Sequence, residues 1–100
     1  MKAFLISPEL KKIEEIEIAG EQDTIRLIGF DTLESDSIGS NGDRLYFDEE
    51  CFLRGTAGRF QVDKLIPVSG SGVLVGTSDD GSLQDVATDI DGLRSRIKYL

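Results

Sequence analysis

The feature that most constrains the fold is a turn signal at residues 39–43, Gly-Ser-Asn-Gly-Asp, between two short segments of mixed apolar and polar residues. Asn-Gly favours the left-handed backbone of tight hairpin turns. After the turn, alternation places Leu45 and Phe47 on one face of a strand and Tyr46 on the other. We therefore expect a β-hairpin over residues 33–47.

Further strands are predicted on both sides of this hairpin. Residues 2–6 form a short apolar run that ends at Ser7-Pro8, which favours a buried first strand followed by a turn. Isoleucine and glutamate alternate over residues 12–18, which predicts a second strand paired with the first. A helix over residues 9–17 is the alternative for this segment.

The second half of the chain predicts shorter elements. We expect residues 51–53 to re-enter the core and Phe60 and Val62 to alternate in a short strand. Pro67 argues against a central strand at its position. The continuous apolar run at residues 73–75 predicts a strand buried on both faces.

Two short helices are predicted. The first spans residues 21–28, with acidic residues in its first turn and Gly29 at the left-handed position after its last turn. The second spans residues 89–97, with Thr88 or Asp89 as its N-cap. Its apolar stripe consists of Ile90, Leu93 and Ile97.

One hundred residues are enough for one domain that buries about two-thirds of the surface of the unfolded chain. We therefore expect residues 1–100 to form a single α+β domain. Its sheet is expected to be mostly antiparallel and built from hairpins, with the two short helices covering one face.

Acidic residues are concentrated between Asp31 and Glu50, where seven carboxylates accompany a single cation, Arg44. The whole chain has a formal net charge of −8. This segment cannot neutralise itself, so it is expected to repel nucleic acid and anionic membranes and to attract basic protein surfaces. The predicted partner-binding residues, which include the turn at residues 79–80, are Asp31, Glu34, Asp36, Asp48, Glu49, Glu50, Asp79 and Asp80.

Composition excludes several classes of chemistry. The chain has no histidine, which removes Ser-His and Cys-His catalysis and nearly all conventional zinc sites. Its one cysteine, Cys51, excludes an internal disulfide and suggests a reducing compartment. The start of the chain lacks the apolar length of a signal peptide, and no apolar run is long enough to cross a bilayer. We expect a cytoplasmic protein.

Four short segments are candidates for chemical sites. The carboxylates at residues 48–50 can gather Mg²⁺ or Ca²⁺, but a solvated turn is the preferred interpretation. Residues 79–82 and 89–92 resemble fragments of calcium loops without the closing glutamate. The glycines of residues 70–72 precede a strand, whereas a nucleotide-binding loop runs from strand through glycines to helix. We assign no catalytic residue, metal ligand or cofactor.

Several segments together resemble a family of uncharacterised bacterial and phage proteins of about this length, a domain of unknown function. The segments are residues 5–8, the Ile/Glu alternation up to Gly20, and residues 27–32, 46–50, 67–72, 73–77 and 79–81. The family often has a basic residue where this chain has Ser71, which argues against anion binding there. The resemblance implies an origin in a phage or mobile element and a role in host interaction or genome defence.

The sequence therefore predicts a non-enzymatic, acidic accessory protein that binds a protein partner with a basic surface, without direct nucleic-acid or membrane binding. Three alternatives stay open. The first is an acidic mimic of nucleic acid that inhibits a host defence protein. The second is a metal-dependent enzyme that uses converging carboxylates among Asp31, Asp36, Asp48 and Glu50. The third is a homodimer formed through an exposed strand edge.

Overall fold

The chain forms nine β-strands and two α-helices, and the computed structural model describes residues 1–100. The strands are β1 (Lys2–Ser7), β2 (Lys12–Glu17), β3 (Leu33–Ser37), β4 (Asp43–Asp48), β5 (Arg59–Val62), β6 (Val68–Ser69), β7 (Gly72–Thr77), β8 (Leu83–Gln84) and β9 (Ile97–Tyr99). The helices are α1 (Glu21–Ile28) and α2 (Ile90–Arg96), and a 3₁₀ turn spans Cys51–Leu53.

The larger of two antiparallel sheets has the strand order β2-β1-β7-β4-β3, with β8 also paired to β7. Strand β7 lies at its centre, and Val73, Leu74 and Val75 are almost completely buried. Their side chains enter two separate apolar clusters, so the predicted burial of this strand on both faces is confirmed. The smaller sheet has the order β6-β5-β9.

The predicted hairpins are confirmed. Strand β1 pairs with β2, which excludes the helical alternative for that segment. Strand β3 pairs with β4, and the turn between them has positive φ at Gly39 and Gly42. A Cβ atom on Gly42 would lie 2.6 Å from the carbonyl oxygen of Thr77, so only glycine fits there without movement.

The α+β fold with antiparallel sheets and two short helices is confirmed, but the helices lie on opposite faces of the larger sheet. Ile28 of α1 packs in one cluster with Val73 and Val75. Leu93 of α2 packs in the other cluster, together with Leu74 and the smaller sheet. The prediction of both helices on one face is therefore corrected. Apolar side chains alternate to both faces of β7, and each face needs a cover.

The helix boundaries follow their end signals. Helix α1 has the predicted bounds and ends at Gly29, whose φ is 93°. Helix α2 is capped by Asp89, whose Oδ1 atom accepts a hydrogen bond from the Gly92 amide at 2.6 Å. Ile97 leaves the helix and begins β9, so the predicted end is one residue too late. Neither helix has the length and apolar character that crossing a membrane requires.

Candidate functional site

The structure does not bring the eight predicted partner-binding residues together at one surface. Three of them line one groove, two contact the same arginine, two lie at a distant turn, and Asp31 is exposed. Each location follows from the strand or turn that carries the residue.

Asp48 lies at the end of β4 and is only 3% exposed. Its Oδ2 atom lies 2.9 Å from Nε of Arg54, and its Oδ1 atom accepts hydrogen bonds from the Thr32 hydroxyl and the Glu50 amide. Burial raises the pKa of the Asp48 carboxyl, but the hydrogen bonds from Arg54, Thr32 and Glu50 outweigh it and leave the pKa below its ordinary value. Asp48 is therefore an internal anchor, which corrects its assignment to a partner surface.

Arg54 is held on three sides. Its Nη2 atom donates to the Thr32 hydroxyl at 3.1 Å and lies 3.3 Å from Oε2 of Glu50. Its guanidinium carbon is 4.2 Å from the centroid of the Phe30 ring. The hydrogen bond to Asp48 raises the pKa of Arg54. The charge of Glu50 is thus partly offset within the fold.

A second acid of the 31–50 segment, Asp43, is also internal. It is 1% exposed, and its carboxylate accepts hydrogen bonds from the amides of Ala87 and Thr88, both at 2.8 Å, and from the Thr88 hydroxyl. These bonds fasten the segment before α2 to the start of β4. Some of the carboxylates between Asp31 and Glu50 therefore stabilise the fold through internal hydrogen bonds.

The outward carboxylates gather along β3, an edge strand of the larger sheet. Glu34 and Asp36 are two residues apart, so they project from the same face of the strand. Together with Glu49 they line a groove of about 350 Å³. The apolar part of its lining is formed by Phe47, Cys51, Phe52, Ile66 and Pro67. We call this feature the acidic groove.

No cation forms an ion pair with the carboxylates of the acidic groove. Glu34, Asp36 and Glu49 form no ion pair within 4.0 Å. The nearest cation along β4, Arg44, donates instead to Ser35 and Ser37 of β3. The groove therefore combines negative charge with an exposed apolar lining.

The apolar lining of the groove is a feature that the sequence did not predict. Residues 51–53 were expected to re-enter the core, but only Cys51 is buried, whereas Phe52 is 51% and Leu53 81% exposed. Ile66 is also 70% exposed. Arg59 lies over Phe52, with its guanidinium carbon 5.2 Å from the ring centroid. The short 3₁₀ turn has no apolar periodicity that would have indicated which side chains point inward.

Asp79 and Asp80 lie in the turn between β7 and β8, beside the Asn41-Gly42 turn, where the Thr77 amide donates to the Gly42 carbonyl at 2.8 Å. Asp80 accepts hydrogen bonds from the Ser78 hydroxyl and, at 2.9 Å, from the Ser82 amide. The Ser78 hydroxyl is the largest cause that lowers the pKa of Asp80 to about 2. This turn lies at the opposite end of the β3–β4 hairpin from Glu49, so Asp79 and Asp80 are separated from the acidic groove.

The carboxylates of the metal-enzyme alternative do not converge in one cleft. Asp48 and Glu50 both contact Arg54, whereas Asp36 lines the acidic groove. No group of three or more Cys, Asp or Glu side chains is arranged to hold a metal ion.

The comparisons with known proteins add no relative: no protein-family model, no curated protein and no solved structure gives a significant match. The resemblance to a phage-associated family stays a prediction.

Proposed function

We propose that this chain is a non-enzymatic binding protein whose partner is a protein with a basic surface, and that the acidic groove makes the contact. The observation that carries the proposal is the combination, in one groove, of three carboxylates that form no ion pair with exposed apolar side chains. Stable protein interfaces commonly combine an apolar centre with a polar rim. The charged rim speeds association and selects a partner of opposite sign.

Charge argues against other occupants of the groove. A nucleic acid would bring phosphates against Glu34, Asp36 and Glu49, which repels it. A volume of about 350 Å³ is at the low end for small-molecule pockets and fits a few side chains of a partner.

A basic partner surface of this kind occurs on proteins that bind nucleic acid. An acidic protein that occupies such a surface would compete with the nucleic acid, which fits the genome-defence role implied by the family resemblance. The bacterial or phage origin belongs to the same proposal. A reducing cytoplasm suits the free, buried thiol of Cys51.

The test is affinity capture from a bacterial lysate at low and high salt. The informative variant is Glu34→Lys/Asp36→Lys, and the matched control is Glu15→Lys/Glu17→Lys, which changes the net charge equally on a different edge strand. We expect a partner that is retained by the wild type and the control at low salt, released at high salt, and lost with the groove variant.

Two outcomes would contradict the proposal. Equal loss with both double variants would show that only net charge matters. Retention by the groove variant would place the contact elsewhere. Displacement of the captured protein by added DNA would support the nucleic-acid-binding class of partner.

A further inference from the structure

Strand β3 has an open backbone edge beside the acidic groove. It pairs only with β4, through an antiparallel register that matches Glu34 with Phe47 and Asp36 with Leu45. The Glu49 amide donates to the Thr32 carbonyl at 2.7 Å, and the Ile38 amide donates to the Asp43 carbonyl at 2.9 Å. The even-numbered residues in and beside β3 therefore direct their backbone N–H and C=O groups towards β4. In an antiparallel strand, successive residues direct their backbone N–H and C=O groups alternately towards the partner strand and away from it. The backbone groups of Leu33, Ser35 and Ser37 therefore point away from the sheet.

The two faces of β3 differ in charge. Glu34 and Asp36 project over the acidic groove. On the opposite face, Arg44 donates to the hydroxyl of Ser35 at 3.0 Å and to that of Ser37 at 2.8 Å. A strand laid along this edge would meet two carboxylates on one face and a guanidinium on the other.

Arg44 partly covers the edge, because its Nη2 atom also donates to the Ser35 carbonyl at 3.0 Å. A carbonyl oxygen has a second lone pair, so Ser35 can still accept from an added strand. The amides of Leu33, Ser35 and Ser37 keep their outward direction.

We infer that β3 accepts a basic, extended segment of the partner as an added antiparallel strand, with its alternate Lys or Arg side chains over Glu34 and Asp36. The inference rests on the proposed function and specifies how that contact is made. Residues directly opposite each other on neighbouring strands lie about 5 Å apart, so cations two residues apart match the two carboxylates. The intervening residues face Arg44 and are uncharged.

Charge selects this occupant over a second copy of the chain. Two β3 strands paired edge to edge would bring Glu34 and Asp36 of one copy towards those of the other. Like charges on directly opposed or diagonal positions destabilise a strand pair. A segment that alternates cations with neutral residues instead places its charges opposite Glu34 and Asp36 and brings no like charge towards Arg44.

The test measures binding of a fluorescent peptide of alternating lysine and threonine, long enough to span β3. One control has the same composition with its lysines contiguous. A second control is N-methylated on the threonines, which keeps every charge but removes the amides that would donate to β3. We expect both controls to bind about tenfold more weakly or worse, since each loses several backbone or charge contacts.

A variant of the protein tests the same edge. Ser35→Pro removes an outward amide and leaves the bonds to β4, as proline allows on edge strands. Ser35→Ala is the control, because it removes the same hydroxyl but keeps the amide. We expect about tenfold weaker peptide binding by Ser35→Pro than by Ser35→Ala, with both variants folded by circular dichroism.

Equal binding of the N-methylated peptide, or equal affinity of the two Ser35 variants, would overturn strand addition. The proposed function would survive either result if the Glu34→Lys/Asp36→Lys variant still lost its partner in the capture experiment. Failure of the proposed function appears separately, as retention of that partner by the same variant.

Discussion

The two edge strands of the larger sheet are both acidic, but they treat their charges differently. On β2, Nζ of Lys12 lies 2.9 Å from Oε1 of Glu14, and the amino group of Met1 lies 3.2 Å from Oε2 of Glu17. On β3, neither Glu34 nor Asp36 has an ion-pair partner. Two of the three carboxylates on β2 are thus ion-paired, whereas neither of the two on β3 is.

This difference in ion pairing shows that the number of carboxylates on a strand does not by itself determine the strand's outward charge. The outward charge of the strand also depends on whether a nearby cation forms an ion pair with these carboxylates. Lys11, Lys12 and Arg94 line a groove of about 490 Å³ near β2. Near β3, Arg44 and Arg54 are held by serines and by Asp48, whereas Arg59 lies over the Phe52 ring and forms no ion pair.

The largest expected effect comes from a variant that releases Arg54. A free cation near β3 would reduce the difference in charge compensation between the two edge strands. Asp48→Asn removes the buried negative charge beside Arg54. Its single amide oxygen cannot accept all the hydrogen bonds that the Arg54 guanidinium, the Thr32 hydroxyl and the Glu50 amide donate to Asp48. We expect a loss of about 2–3 kcal/mol in the free energy of unfolding, measured by urea denaturation. Glu49→Gln, at an exposed neighbouring position, should stay within about 0.5 kcal/mol of wild type. Equal losses would contradict the division into internal and outward acids.

The same substitution predicts a pH dependence. The pKa of Asp48 is lowered in the folded protein, so its carboxylate stabilises the fold above the unfolded pKa, and this contribution is lost as pH falls through the folded value. The stability difference between wild type and Asp48→Asn should be constant above about pH 5 and should narrow below about pH 4. A difference that stays constant down to about pH 2 would contradict this assignment.

A smaller effect is expected from Arg44→Ala, which sharpens the contrast by making the β3 edge more negative and more open. The variant loses three hydrogen bonds to Ser35 and Ser37, which are partly exposed. We expect a loss of about 1 kcal/mol in stability and about threefold tighter binding of the alternating peptide. Weaker binding by a variant that is still folded would mean that Arg44 contributes to the contact.

The smallest effect is expected from Lys12→Ala, which removes the local compensation on β2. The ion pair with Glu14 is exposed, so the change in stability should be below about 0.5 kcal/mol. The variant should nevertheless begin to attract the lysine peptide to β2 at low salt. Lys64→Ala, which removes an exposed cation without an ion pair in the fold, is the control for the change in net charge.

Local signals were sufficient to predict most of the elements. Asn41-Gly42 predicted the β3–β4 hairpin, Gly29 predicted the end of α1, and Asp89 predicted the cap of α2. Each of these features depends on only a few neighbouring residues. The placement of the helices on opposite faces was not predicted. It depends on which face of each distant strand is apolar once the strands are paired.

The site was predicted only in part, for a related physical reason. The sequence predicted Glu34, Asp36 and Glu49 as partner-binding residues, and the structure places all three along one groove, but Asp48 was assigned to the same surface. Asp48 is internal because Thr32 and Arg54, at different distances along the chain, converge on it. The exposed Phe52 and Ile66 also depend on tertiary placement, since an apolar residue in a short loop has no periodicity that gives its direction.

Binding at the β3 edge is tested by mapping the amide chemical shifts of the ¹⁵N-labelled protein while the alternating lysine–threonine peptide is added at low salt. We expect shifts that saturate along β3 and at Glu49, Phe52 and Ile66, with the β2 amides unchanged. Equal shifts along both edge strands would contradict preferential binding of the basic segment at β3, where neither Glu34 nor Asp36 is ion-paired.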